Sequence, residues 1–146
     1  MPITSFGFGM PSRYLFFNGA VVLFTGLLSG VQFWLSIILE KGRDKVRAWR
    51  VAHATLVIDG LLMLVFGLIL PHIPLGETAG RVMAWALISS GYGFSFALAV
   101  GAWANIRGLT PRPWGINTAF FAGHFIGASG AFVGISIFIY GTFSAL

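Results

Sequence analysis

Cysteine is missing altogether from this chain of 146 residues. That excludes disulfides, thiolate-ligated haem and zinc–thiolate centres, and it says little about compartment. Charge is nearly as scarce. Asp, Glu, Lys and Arg together make up 9% of the residues, against roughly 25% in a soluble domain. No glycine-rich phosphate loop, Ser–His–Asp set or zinc-spaced cluster is present. A signal-peptide pattern is missing as well: the first 13 residues carry one Arg, and the apolar run that follows is too long for an h-region. The first span is therefore expected to stay in the mature protein.

What fills the chain instead is hydrocarbon. Hydrophobic residues make up 57% of it. Four stretches, Tyr14–Leu39, Ala48–Leu70, Val82–Ile106 and Ile116–Phe143, are long enough to cross a bilayer, which takes about 20 mainly apolar residues. Breakers fall between them: Gly42 after the first, Pro71 and Pro74 after the second, Gly108, Pro111 and Pro113 before the fourth. Loops of about ten residues suit a compact bundle, and the longer first and last spans allow tilt. The expectation is an all-α fold: one integral membrane domain over residues 1–146, a bundle of four transmembrane helices without an internal repeat.

The net charge of +5 does not point to nucleic acid, because of where the charge sits. Lys41, Arg43, Lys45, Arg47 and Arg50 lie between the first two spans, and Arg107 and Arg112 between the last two; only Arg13 and Arg81 lie on the other side. By the positive-inside rule the basic loops are expected in the cytoplasm and both termini outside, as for a protein of a bacterial inner membrane. The basic loop then also offers a surface to anionic lipid of the bilayer.

Glycine follows a pattern. Gly123, Gly127, Gly130, Gly134 and Gly141 share one face of the fourth span, and Gly19, Gly26 and Gly30 repeat the idea in the first. Small residues on a face let helices approach closely in lipid. The same space also suits a flat cofactor, and the stripes alone do not separate the two readings.

Ionisable groups inside spans are costly and are functional candidates by default. Here they are His53, Asp59 and His124. Counting about 1.5 Å per residue from Ala48, His53 lies about 8 Å and Asp59 about 17 Å into the membrane, with His124 about 12 Å beyond Ile116 in the same leaflet. A buried carboxylate must be paired, protonated or functional, and Tyr92, at similar depth, is a candidate donor to Asp59. His53 and Asp59 are six residues apart, so they point roughly 120° apart on a helix, which suits two pockets better than one. His72 stands beside prolines in a loop. Trp34, Trp49, Trp85, Trp103 and Trp114 fall mostly towards span ends, as in an interfacial belt. A neutral imidazole in a dry, glycine-bordered groove suits a haem iron with its other axial position open. Arg47 and Arg50, one to two turns from His53, are placed to receive haem propionates.

The motif Ala48-Trp49-Arg50-Val51-Ala52-His53, followed by Gly60, by Leu68-Ile69-Leu70-Pro71, by Ala84-Trp85, by the aromatic stretch at Gly91 and by Arg107-Gly108-Leu109, resembles the styrene oxide isomerases. These are small four-span membrane enzymes. The resemblance implies a homotrimer with ferric haem b between neighbouring subunits and His53 as the axial ligand of the iron. It implies the Meinwald rearrangement of a small apolar aryl epoxide to an aldehyde. At two positions the chain departs from the family pattern. Asp59 stands where the family has Asn, and by gapless alignment Leu98 stands where it has a substrate-binding Tyr. Asp59 and Tyr92 are accordingly the candidate catalytic residues, with His53, Arg47 and Arg50 as candidate haem-binding residues. Two other classes remain compatible with the residues. One is a haem b electron-transfer or gas-binding membrane protein, with His124 as a second ligand. The other is a haem-free packing subunit or carrier with Asp59 as a proton-linked site.

Overall fold

The computed structural model describes residues 9–146. Helix α1 spans Met10–Ile38, α2 Arg43–Ile69, α3 Glu77–Phe94, α4 Gly101–Ala104 and α5 Ile116–Phe143, and no strand occurs among the described residues. Four helical segments, Met10–Ile38, Arg43–His72, Glu77–Ala104 and Ile116–Phe143, are long and apolar enough to cross a membrane. An all-helical fold with four candidate spans is what hydrocarbon solvent demands, because a helix satisfies its own backbone groups internally.

The local sequence explains the ends. Pro11 occupies the first turn of α1, where its missing N–H costs nothing. Asp44 and Glu77 sit in the first turns of α2 and α3, where a carboxylate complements the helix dipole. A 3-10 turn, Leu70–His72, finishes α2 at Pro71. Helix α2 begins at Arg43, five residues before the apolar run that starts at Ala48. Hydropathy marks where the membrane begins, and Arg and Lys are good helix formers, so the helix continues beyond the slab.

The third span is not one regular helix. Between α3 and α4 the residues Ser95–Val100 form a π-helical segment. Such segments are rare and shift every later side chain around the axis. Helix α4 ends at Asn105 in the left-handed region, φ 62°. Its last carbonyls are capped from another helix: Lys45 Nζ donates to Ala102 O at 2.6 Å and to Trp103 O at 3.0 Å. Arg107 pairs with Asp44 at 2.6 Å. The two basic loops are thus tied together at one end of the bundle.

The helices pair as α1 with α2 and α3 with α5, and α3 also touches α1. Both main seams are built on glycine. A Cβ on Gly26 would stand 2.7 Å from Val57 N, and one on Gly60 2.5 Å from Leu23 N. On α5, a Cβ at Gly130 would stand 2.5 Å from Ala86 O. Backbone meets backbone at these points, so no larger residue fits unless the helices part. The glycine stripe of the fourth span therefore serves helix packing. Leu15, Val22, Leu56, Met63, Met83 and Leu87 form the central core.

Trp49 departs from the interfacial belt. It is 6% exposed and packs with Ala52, Ala102 and Phe33 at the basic end. Small residues on α2 and α4, Ala52 and Ala102, leave room for the indole between the helices. The other four tryptophans are 55–76% exposed, as a belt requires.

Candidate haem-ligand site and its surroundings

His53 stands on the face of α2 that meets α1. Its Nδ1 lies 2.8 Å from the Gly26 carbonyl oxygen. A carbonyl only accepts, so in the neutral imidazole Nδ1 carries the proton and Nε2 keeps its lone pair. Metal-ligating histidines are commonly held in this way, by a carbonyl on the nitrogen that does not bind the metal. The approach depends on Gly30, where a Cβ would stand 2.7 Å from Nδ1 and 2.8 Å from Cε1. Gly30 leaves a notch in α1 that takes the ring, and Gly26, one turn away, supplies the carbonyl that the ring bonds. Hydrogen bonds between membrane helices average roughly 0.6 kcal/mol. This one therefore sets the direction of the imidazole more than it stabilises the fold. The glycines of the first span thus do two things: Gly19 and Gly26 admit the α2 backbone, and Gly30 admits an imidazole.

Arg47 and Arg50 lie towards the basic end of α2 from His53, and both are exposed. Neither forms an ion pair among the described residues. They remain available to an anionic group.

Asp59 faces the other way, into α3. Its Oδ2 is buried without a hydrogen-bond partner. It lies beside Gly91, where a Cβ would stand 3.5 Å from it, next to Val22 Cγ2 and Met63 Sδ. Ser95, one turn further along at the start of the π-helical segment, also buries a hydroxyl without a partner. The expected bond from Tyr92 is not formed. The Tyr92 hydroxyl donates instead to Asn18 Oδ1 at 2.8 Å, because α1 lies against α3 on the side where Tyr92 emerges. Within one chain His53, Asp59 and Tyr92 therefore have three different neighbours: α1 glycines, Gly91 and Asn18.

His124 is also engaged elsewhere. Its Nε2 donates to the Arg107 carbonyl at 3.0 Å, and its ring meets Phe94 edge-on at 6.5 Å. It borders a cavity of about 190 Å³ together with Arg47, Val51, Ala97 and Leu98. His53 faces α1 and His124 faces the loop after α4, so the bis-histidine arrangement is not assembled within one chain. Leu98 lies in the π-helical segment, where counting at 3.6 residues per turn does not give the direction of a side chain.

The order of motifs from Trp49 to Leu109 now has a three-dimensional counterpart: an oriented imidazole between two glycine-notched spans. The sequence model of the styrene oxide isomerase family matches residues 11–143, and so takes in all four candidate spans. The chain belongs to the styrene oxide isomerase family. Comparison with curated proteins and with solved structures gave no match.

Sequence reasoning within this isomerase-family chain missed Asn18, the partner of Tyr92, and the specific task of Gly26 and Gly30. Asn18 was visible as a polar side chain inside an apolar run, but its partner lies 74 positions away. The π-helical segment leaves no sequence signal of comparable strength. Lys45 was read as a topology charge, although it also caps α4.

Proposed function

We propose that this protein is a haem b-dependent membrane isomerase that converts an apolar aryl epoxide to an aldehyde by Meinwald rearrangement. Family membership supports an isomerase. The observation that carries the haem reading is His53, fixed through Nδ1 on the Gly26 carbonyl with Nε2 left free. The residues fit the group: one oriented neutral imidazole, a glycine notch behind it and two unpaired arginines on the same helix.

Bound ferric haem supplies a Lewis acid for an epoxide oxygen. The chain supplies the rest. His53 Nε2 would hold the iron, and the Gly26 carbonyl keeps the tautomer and direction of the ring. Arg47 and Arg50, exposed on the same helix, would hold the haem propionates as charge-assisted donors. Isomerisation breaks one C–O bond, moves a hydride to the neighbouring carbon and forms C=O, so it consumes no reductant, oxygen or second substrate. Asp59 is proposed to contact substrate from a neighbouring copy, since it faces away from His53 within its own chain. The family resemblance implies a homotrimer, and in this reading the pocket lies between its subunits. The arrangement is further proposed to sit in a bacterial inner membrane with the basic end in the cytoplasm. The support is the seven-to-two charge bias and the Asp44–Arg107 pair that joins both basic loops.

Two measurements on the purified protein and on His53→Ala test the reading: an optical spectrum with haem quantified per chain, and conversion of aryl epoxides to aldehydes under anaerobic conditions. A Soret band and aldehyde formation that both vanish in the variant are expected. Aldehyde formation that survives without haem, or no turnover by haem-loaded protein across a varied epoxide panel, overturns the proposal.

A further inference from the structure

A second site lies on the outer surface of the bundle. Helices α1 and α5 flank α3 without closing over it, and a groove of about 620 Å³ runs along α3 between them. Trp85, Ser89, Tyr92 and Phe96 follow one another along its floor at helical spacing. Tyr14 meets Trp85 at 5.7 Å and closes one end. Phe96, stacked on Phe120 at 4.9 Å, closes the other. The α5 wall is small, Ala119, Ala122 and Gly123, which is what keeps the groove open.

Three polar side chains stand inside this apolar slot, in the middle of spans where polarity is expensive. Asn18 donates one amide hydrogen to the Tyr14 carbonyl at 2.8 Å and accepts from Tyr92 at 2.8 Å. Its second amide hydrogen has no partner among the described residues. Ser89 is exposed and makes no hydrogen bond to another described residue. Elsewhere in the spans, Ser129 and Ser136 return their hydroxyls to the carbonyl four residues back. Tyr92 is 43% exposed. Asn18 and Ser89, which line this groove with aromatic ends, thus each keep a donor without a partner among the described residues. An acyl chain fills such a slot and leaves both donors unsatisfied, at a cost.

We infer that the Asn18–Ser89–Tyr92 groove is a lateral binding site for small, flat apolar molecules that carry one oxygen acceptor, the class of aryl ethers, epoxides and ketones. The volume lies within the range of small-molecule sites, about 300–1,000 Å³. Asn18 Nδ2 and the Ser89 hydroxyl hold the oxygen, and Trp85 and Phe96 enclose the ring. The site opens sideways, so its ligand arrives from the bilayer. The inference rests on the groove alone and stands apart from the haem reading.

The test is quenching of tryptophan fluorescence in nanodiscs by 4-bromoacetophenone, with bromobenzene as the probe that lacks oxygen. The Trp85 component is taken as the difference from Trp85→Phe. Saturable quenching by the ketone alone is expected, about three- to tenfold weaker in affinity in Asn18→Leu and in Ser89→Ala, the range for loss of one hydrogen bond. It should persist in His53→Ala. Independently of any variant, an aryl ketone bearing a diazirine should photolabel the stretches 85–96 and 119–126. Several outcomes overturn the inference: equal quenching by both probes, affinity indifferent to Asn18 and Ser89, or label spread evenly over the lipid-facing residues. So does a groove covered by a second copy, seen as efficient disulfide dimers of Trp85→Cys, a clean assay in a chain without native cysteine.

Discussion

His53 and Asp59 stand six residues apart on one helix, and their surroundings are opposites. The imidazole meets a notch in α1 that satisfies one ring nitrogen and leaves the other free. The carboxylate meets Gly91, Val22 and Met63 on the far side, and Oδ2 has no hydrogen-bond partner among the described residues. One polar group is held in a fixed pose by its own chain. The other is buried at a cost that this chain does not offset. An arrangement of this kind is complete on one side and lacks something on the other, which suits a ligand or a neighbouring copy opposite Asp59.

The comparison breaks most severely at His53. His53→Ala should abolish the Soret band and lower epoxide turnover by more than the roughly 10–100-fold that loss of a supporting partner costs; absorbance and product formation read both. Next comes the notch. Gly30→Ala places a methyl 2.7 Å from Nδ1, and the ring, being a side chain, can swing aside. Haem affinity should fall by roughly 10–100-fold in a titration, while the circular dichroism spectrum stays helical. If Gly30→Ala binds haem normally, the notch does not set the ring.

Asp59 should respond in the reverse sense. Asp59→Leu removes an unpartnered polar atom and should stabilise the isolated chain by about 1–3 kcal/mol, seen as a higher melting temperature in detergent. Haem binding should be retained and isomerase activity reduced. A lower melting temperature would show that the carboxylate has a partner after all. The smallest effect belongs to the Asp44–Arg107 pair, whose side chains are 90% and 56% exposed. Asp44→Ala should change stability by no more than about 1 kcal/mol, despite the 2.6 Å contact.

The candidate site was legible in unequal parts. His53 was legible because an imidazole inside an apolar run has few ordinary explanations. Asp59 was legible as an anomaly, but its partner was misread: depth along the span placed Tyr92 near it, whereas the packing of α1 on α3 turned Tyr92 to Asn18. Trp49 was placed in the belt by its position at a span end and proved buried, since its ring turns towards Phe33 and Ala102 of neighbouring helices rather than outwards. The direction of Leu98 could not be read by counting, because the π-helical segment resets the helical phase ahead of α4.

By itself the sequence determined the four spans, the turns between them, the glycine faces and the charge asymmetry. Each follows from transfer free energy or backbone geometry, which act residue by residue. The tertiary structure decided which nitrogen of His53 is free, that Asp59 is unpartnered, that Lys45 caps α4, and that Asn18, Ser89 and Tyr92 share one groove. Those depend on which faces meet, and hydrogen bonds act over about 3 Å. A rotation of one helix by a single residue, about 100°, would rewrite every one of them while leaving the hydropathy unchanged.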